Sequence, residues 1–408
     1  MSNRLKLFRE RMAAFEGAAN PSEAIESGYY VHAPGKLLVD NISNRIALRP
    51  SSSHLLLGGI GSGKTTQLLV ACQQINEIED THAYYLDVSK DIDISKISNG
   101  ILIVYAGLQL TKLIKDHENQ IIQESIKVIN KFAFGYTEES NLSRSTNYLD
   151  NLGNLLTLGI RTIKHEGIIP TQSNQYGVKA DLVKAVSTLA QEAIKKYGYI
   201  VFIFDGLDRL HDSKTFMQIV ASDAKYLSSV GIGLVLVGPL TAIYGDYSDI
   251  DDKGLDSFYY SYYQPFFDVE NDPEAYHFFE KIIQARSCED FIEISAIKAL
   301  INFSGGVLRD FIILTQASIE ETYLSGEDKV QEQQVLKAVD STGRNQLLGI
   351  SDNELKIIKQ ILQTGTFIPR TDEDLRLLVR RVILEYRYPK LRYAVHPAMK
   401  PLIQQIVD

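Results

Sequence analysis

Residues 58–65 read Gly58-Gly59-Ile60-Gly61-Ser62-Gly63-Lys64-Thr65 and satisfy the pattern G-x-x-x-x-G-K-[ST]. Their setting makes the octet constraining. The apolar stretch His54–Leu57 before it has the length of a buried strand, and Lys64–Ile75 after it repeats apolar residues at helical spacing (Leu68, Leu69, Cys72, Ile75). A chain of this kind must turn from strand to helix through a loop almost free of side chains. Consecutive backbone N–H groups can then converge on an anion, and the helix N-terminus adds a favourable dipole. The expected occupant is the triphosphate of ATP. Gly58, Gly59, Ile60, Gly61, Ser62 and Gly63 would form the cradle, with Lys64 on the β- and γ-phosphates. The Thr65 hydroxyl would sit on Mg²⁺, and Thr66 would complete the contacts at the helix start.

Such a loop needs an acidic partner at the end of another buried strand. Ile200-Val201-Phe202-Ile203-Phe204-Asp205 supplies one. Asp205 is expected to hold Mg²⁺ through water, because a hard ion bound with nucleotide needs only one or two carboxylates. Asp208, three residues on, is a candidate for polarising an attacking water, with the N-cap of the next helix as its alternative. Arg209 reads as an ion-pair partner. Further strands are expected at Ala83–Val88 and Gly233–Val237, and a clear amphipathic helix at Val178–Tyr197. Strands that are apolar on both faces and alternate with helices predict an α/β fold with a mostly parallel, covered sheet. The tyrosine-rich run from Phe258 to Tyr263 reads as an interior or edge strand that ends at Pro265. Beyond it the pattern turns helical, at Pro273–Arg286, Ile294–Ser304, Val307–Leu324 and Val330–Val339. A last unit opens with a capping box, Ser351 and Glu354. It continues into a helix around Glu373–Arg381 and a strand–turn–strand from Val382 to Val395. The layout expected is a nucleotide core over 1–265 with an insertion at about 91–177, a helical segment over 266–350, and a small terminal domain over 351–408.

The pair GGIGSGKTT and FIFDGLDR resembles the signal-transduction ATPases with numerous domains (STAND) and their AAA+ relatives; the ending of the second motif also resembles the KAP branch. The resemblance implies a P-loop NTPase core, a helical lid and a C-terminal winged helix, with Mg·ATP bound between core and lid. It places Arg309, in Ser304-Gly305-Gly306-Val307-Leu308-Arg309, as the lid arginine that senses the γ-phosphate, with a solvated lid arginine as the alternative. It also places Val31, in Tyr29-Tyr30-Val31-His32, against adenine and Thr241 at the γ-phosphate. The chain departs from the pattern twice. Gly206 stands where AAA+ enzymes carry a glutamate, and Leu308 where STAND proteins often carry proline.

Composition sets outer limits. With 42 Lys and Arg against 51 Asp and Glu, the net charge is −9, which excludes a protein that coats nucleic acid over its whole surface. Residues 370–400 run against this balance, with eight basic and four acidic side chains. That leaves open a DNA contact through the wing or, as the favoured reading, docking on the protein itself. Two cysteines, Cys72 and Cys288, exclude a disulfide framework and fit a reducing cytoplasm. No apolar run spans a bilayer, so no membrane partner is expected. The expectation is therefore a slow ATPase switch that self-associates and controls a separately encoded effector, as in a bacterial antiviral defence system. The alternative is a DNA-binding AAA+ ATPase of the replication-initiation or transposition-regulator type. A small-molecule P-loop kinase would leave the lid and winged helix unexplained.

Overall fold

The structure is a computed structural model, and it describes residues 3–16, 21–34, 38–94, 97–114, 118–134, 180–210, 215–244, 258–287 and 290–407. Five strands form one sheet: β1 (Ser53–Gly58), β2 (Thr81–Asp87), β3 (Tyr199–Asp205), β4 (Gly233–Val237) and β5 (Tyr260–Gln264), in the order β2-β3-β4-β1-β5. The pairs β2/β3, β3/β4 and β4/β1 are parallel. Every residue of β1 and β4 is buried, as are all of β3 except Tyr199. Such strands need helices over both faces, and the protein is α/β, with the phosphate-loop sequence leaving an interior strand that runs parallel to β4. The tyrosine run is an edge strand, β5, beside β1.

Contacts group the chain into two compact units that interleave along the sequence. One comprises residues 38–57 and 67–263. Its core joins the sheet to the helices Ile101–Ile114, Gln120–Phe134 and Ala180–Tyr197. Residues 101–134 of the expected insertion thus supply two helices. Ile101–Leu110 is buried all round, so the described part of the expected insertion is core. The segments 135–179 and 245–257, and with them about half of that insertion, lie outside the described residues. Before β4, a π-turn, Phe216–Val220, leads into a helix at Ala221–Ser229. From that helix the buried Asp223 accepts the Gly100 and Leu102 amides at 3.0 Å each, capping the Ile101–Ile114 helix from outside. Burial pushes its pKa up to about 7.

At the β5 edge, His54 is buried between Ser52 and Tyr262. The Ser52 hydroxyl donates to the Arg49 carbonyl, so His54 Nε2–H donates to Ser52 Oγ (2.7 Å) and Tyr262 donates to Nδ1 (2.9 Å). Burial and the nearby Arg45 push the His54 pKa down to about 3, which keeps the ring neutral. Arg45 lies over Tyr260 and Tyr262, and Arg49 over Tyr259.

The other unit comprises residues 1–37, 58–66 and 264–408. Helices Pro273–Arg286, Ile294–Ser304, Leu308–Ser325 and Glu332–Leu347 form its main core, joined by Phe8, Ala14 and Phe15 at the N-terminal helix Asn3–Ala14. Arg4 fastens that helix by donating to the Thr322, Tyr323 and Glu327 carbonyls at the end of Leu308–Ser325. The C-terminal elements are helices Asp352–Thr364, Asp372–Val379 and Lys400–Val407 and an antiparallel hairpin of β6 (Ile383–Tyr386) and β7 (Arg392–Val395). The Ser351–Glu354 capping box forms as its spacing predicts, and Thr371–Asp374 makes a second.

Candidate nucleotide site

Three features of the phosphate loop suit an anion. Gly61 and Gly63 hold φ of +88° and +94°, a region open to glycine at no steric cost. Lys64, buried at the first turn of its helix, curls back to donate to the Gly58 and Gly59 carbonyls at 2.9 and 3.0 Å. The Ser62 hydroxyl is 1% exposed and has no hydrogen-bond partner among the described residues. A buried hydroxyl left without a partner costs roughly 1–3 kcal/mol, so this loop has an unmet polar group where a phosphate would meet it. Thr65 and Thr66 follow, half-buried, in the helix Lys64–Asn76, and Ile60 is half-buried in the turn.

In the same unit the loop is held by the segment that carries Arg309. The Arg309 amide donates to the Gly61 carbonyl at 3.2 Å, and a Cβ at Gly61 would lie 2.9 Å from Arg309 Cβ. Gly59 is needed for a different reason, because a Cβ there would run into the Phe266 ring at 2.3 Å. Arg309 itself is exposed, at the second position of Leu308–Ser325. Val31 is half-buried and packs against the apolar cluster of the Pro273–Leu347 helices together with Tyr29 and Ala33.

The acidic half lies in the unit that holds the sheet. Asp205 ends β3, is 5% exposed, and has both oxygens engaged: Oδ1 accepts the Gly206 amide and Oδ2 the Tyr85 hydroxyl, each at 2.7 Å. Burial and the charges of Asp205, Asp87 and Asp208 raise the Tyr85 pKa well above that of an ordinary tyrosine, so the phenol stays a donor. Asp87 pairs with Asp205 in the β2/β3 register and is occupied as an N-cap, accepting the Ser89 amide and hydroxyl and pairing with Lys90. Asp208 is half-buried within the 3₁₀ turn Leu207–Arg209, whose N-cap is Gly206, so Asp208 is not a cap there. Arg209 is exposed and forms no ion pair among the described residues. Thr241 follows β4, and its buried hydroxyl has no partner among the described residues.

Sequence reasoning missed Tyr85. The signal available was a tyrosine two residues before an aspartate at the end of an apolar strand, which is indistinguishable from ordinary β-propensity until the strand pairing is known.

The basic segment is largely spent on internal contacts. Arg376 pairs with Glu354, Arg381 with Asp310, Arg387 with Glu385, and Arg392 with Asp268 and Glu270; Arg380 donates to the Gln346, Leu348 and Gly349 carbonyls. Among the described residues no group of three or more His, Cys, Asp or Glu side chains is gathered to hold a metal, and no helix is long and apolar enough to cross a membrane.

No established protein family and no curated protein matches this sequence. Among solved structures, the chain is similar to the Aeropyrum pernix ORC2 protein in its ADPNP–ADP complexes, with 14% identity and a TM-score of 0.47 over 92% of this chain and 96% of that one. It is similar also to Cdc6p from Pyrobaculum aerophilum, with 14% identity and a TM-score of 0.41 over 92% and 97%. The Thermotoga maritima RuvB Holliday junction branch migration motor matches with 14% identity and a TM-score of 0.40, over 92% and 98%.

Proposed function

We propose that the protein is an ATP-binding and hydrolysing switch of the AAA+/STAND type. The observation that carries this reading is the phosphate loop: glycines at positive φ, a buried lysine turned onto the loop's own carbonyls, and a buried Ser62 hydroxyl with no partner among the described residues. Lys64 and the loop amides would hold the β- and γ-phosphates, and Lys64 would exchange its carbonyl contacts for phosphate oxygens. Thr65 and Asp205 would hold Mg²⁺, which when bound neutralises charge on the phosphates. Asp208 would orient and polarise the attacking water, and Thr241, which follows β4 and whose buried hydroxyl has no partner among the described residues, would meet the γ-phosphate.

Arg309 shares its backbone segment with the loop contact at Gly61, which supports a role in reporting nucleotide state. That state would govern self-association and control of a separately encoded effector, and a bacterial antiviral defence system suits such a switch. The winged-helix reading of 351–408 rests on its helices and hairpin, and the internal pairing of its arginines supports docking on the protein itself.

A second reading, a DNA-binding ATPase of the replication-initiator type, is favoured by one observation. The β6–β7 turn presents Tyr388 and Leu391, 70% and 62% exposed, on either side of the exposed Lys390.

The test of the main reading is equilibrium binding of a fluorescent ATP analogue. Wild type should bind, and Lys64→Ala should lose binding by two orders of magnitude or more while keeping its thermal midpoint. Equal affinity in the two proteins would remove the phosphate-loop assignment.

A further inference from the structure

We infer that Tyr85 is the positioning residue of Asp205, setting the orientation of its carboxylate and through it the affinity for Mg²⁺ with nucleotide. The inference rests on the proposed function above, which gives Asp205 its metal. It comes from strand geometry. In the parallel β2/β3 pair, Tyr85 lies opposite Ile203 and Asp87 opposite Asp205. Side chains two apart share a face of a sheet, so Tyr85, Asp87, Ile203 and Asp205 all belong to one face. Along the strand, Tyr85 sits one such step, or about 6.6 Å, behind Asp205. A phenol is long enough to cover that diagonal and ends in a donor; phenylalanine covers it without one, and serine or threonine falls short.

The arrangement leaves Asp205 little freedom. An ionised carboxylate offers about four acceptor sites. Two are filled by donors fixed in the fold, the Tyr85 hydroxyl from β2 and the Gly206 amide from the turn that follows β3. Together they set the plane of the carboxylate that would face water bound to a metal. Asp87 cannot take over this task, because its own oxygens cap the Val88–Asp91 turn and pair with Lys90. Tyr85 touches neither nucleotide nor metal in this scheme and acts only through Asp205. Partners of this kind typically alter metal affinity 10–100-fold when removed.

The experiment measures binding of a fluorescent ATP analogue to the full chain, first in EDTA and then across a Mg²⁺ titration, for wild type, Tyr85→Phe, Asp205→Asn and the double variant. Tyr85→Phe should keep its affinity in EDTA and need about tenfold more Mg²⁺ to reach the metal-dependent gain. Adding Tyr85→Phe to Asp205→Asn should produce no further shift. An unchanged Mg²⁺ midpoint in Tyr85→Phe, with Asp205→Asn shifted, overturns the inference and leaves the role of Asp205 standing. If Asp205→Asn itself does not move the midpoint, the metal assignment of Asp205 falls first, a different result on the same plot. Loss of affinity in EDTA by Tyr85→Phe would show that the hydroxyl only holds the sheet together, and would also overturn the proposal.

Discussion

At the scale of single residues, burial decides what a charge does. Asp223 shows this most clearly. Its carboxylate is fully buried and faces the start of the Ile101–Ile114 helix, where it accepts two backbone amides while paying for desolvation. The folded pKa of about 7 lies above the ordinary 3.8, so the folded state binds protons more tightly than the unfolded chain. Stability from this group is therefore complete below pH 4 and is lost as pH rises through 7. The full difference amounts to about 4 kcal/mol. Asp223→Asn lacks the titration. Denaturant melts between pH 4.5 and 8 should show wild type losing ground to this variant as pH rises; a constant difference would mean the carboxylate does not titrate in that window. His54 runs the opposite way. Its lowered pKa makes its contribution present above about 6.5 and lost as pH falls toward 3. No spacing rule in the sequence marks either residue.

At the scale of elements, the C-terminal hairpin is held to the rest of its unit by buried ion pairs. Arg392 on β7 forks onto Asp268, which is buried and also bonded by Asn271. Burial alone would raise the Asp268 pKa, yet the bonds from Arg392 and Asn271 outweigh it and hold the carboxyl below the ordinary range. Arg381, at φ +61°, and His396 both reach Asp310 at the start of Leu308–Ser325, at 2.9 and 3.3 Å. Removing one member of such a pair strands the other. Arg392→Ala should therefore cost about 3–5 kcal/mol in a denaturant melt. The double variant Arg392→Met with Asp268→Leu should recover most of that loss, because an apolar pair of similar volume carries no desolvation cost. A loss below 1 kcal/mol in Arg392→Ala would show the pair to be solvated. Helix ends were the most legible elements here. Ser351–Glu354 announces its cap because the motif is local, and Asn119, which accepts the Ile121 amide, does the same for Gln120–Phe134, whereas the π-turn at 216–220 leaves no local mark.

At the scale of the whole molecule, charge counting and charge placement give different answers. Residues 370–400 carry eight basic side chains, but Arg376, Arg380, Arg381, Arg387 and Arg392 are engaged internally. Arg370, Lys390 and Lys400 remain for an outside partner. If DNA binds this segment, at most three phosphate contacts are available, and the log–log dependence on salt should have a slope no steeper than roughly −3. Eight contacts would give about −7. Fluorescence anisotropy with duplex DNA across a salt series, with and without ATP, distinguishes these. A steep slope would show that the internal pairs open on DNA. Absence of binding at low salt with ATP removes the second reading.

The sequence alone determined the strand–loop–helix of the phosphate motif, the strand ending in Asp205, and the α/β class. Each rests on contiguous residues whose conformation follows from glycine, periodicity and local capping. Only the tertiary structure decided that Tyr85 donates to Asp205, that Phe266 and Arg309 close on Gly59 and Gly61, and that most basic side chains of the 370–400 segment are engaged in internal contacts. These contacts join residues far apart in the chain. Strand register, burial and the need to satisfy every buried polar group select their partners, and none of these acts until the chain has folded.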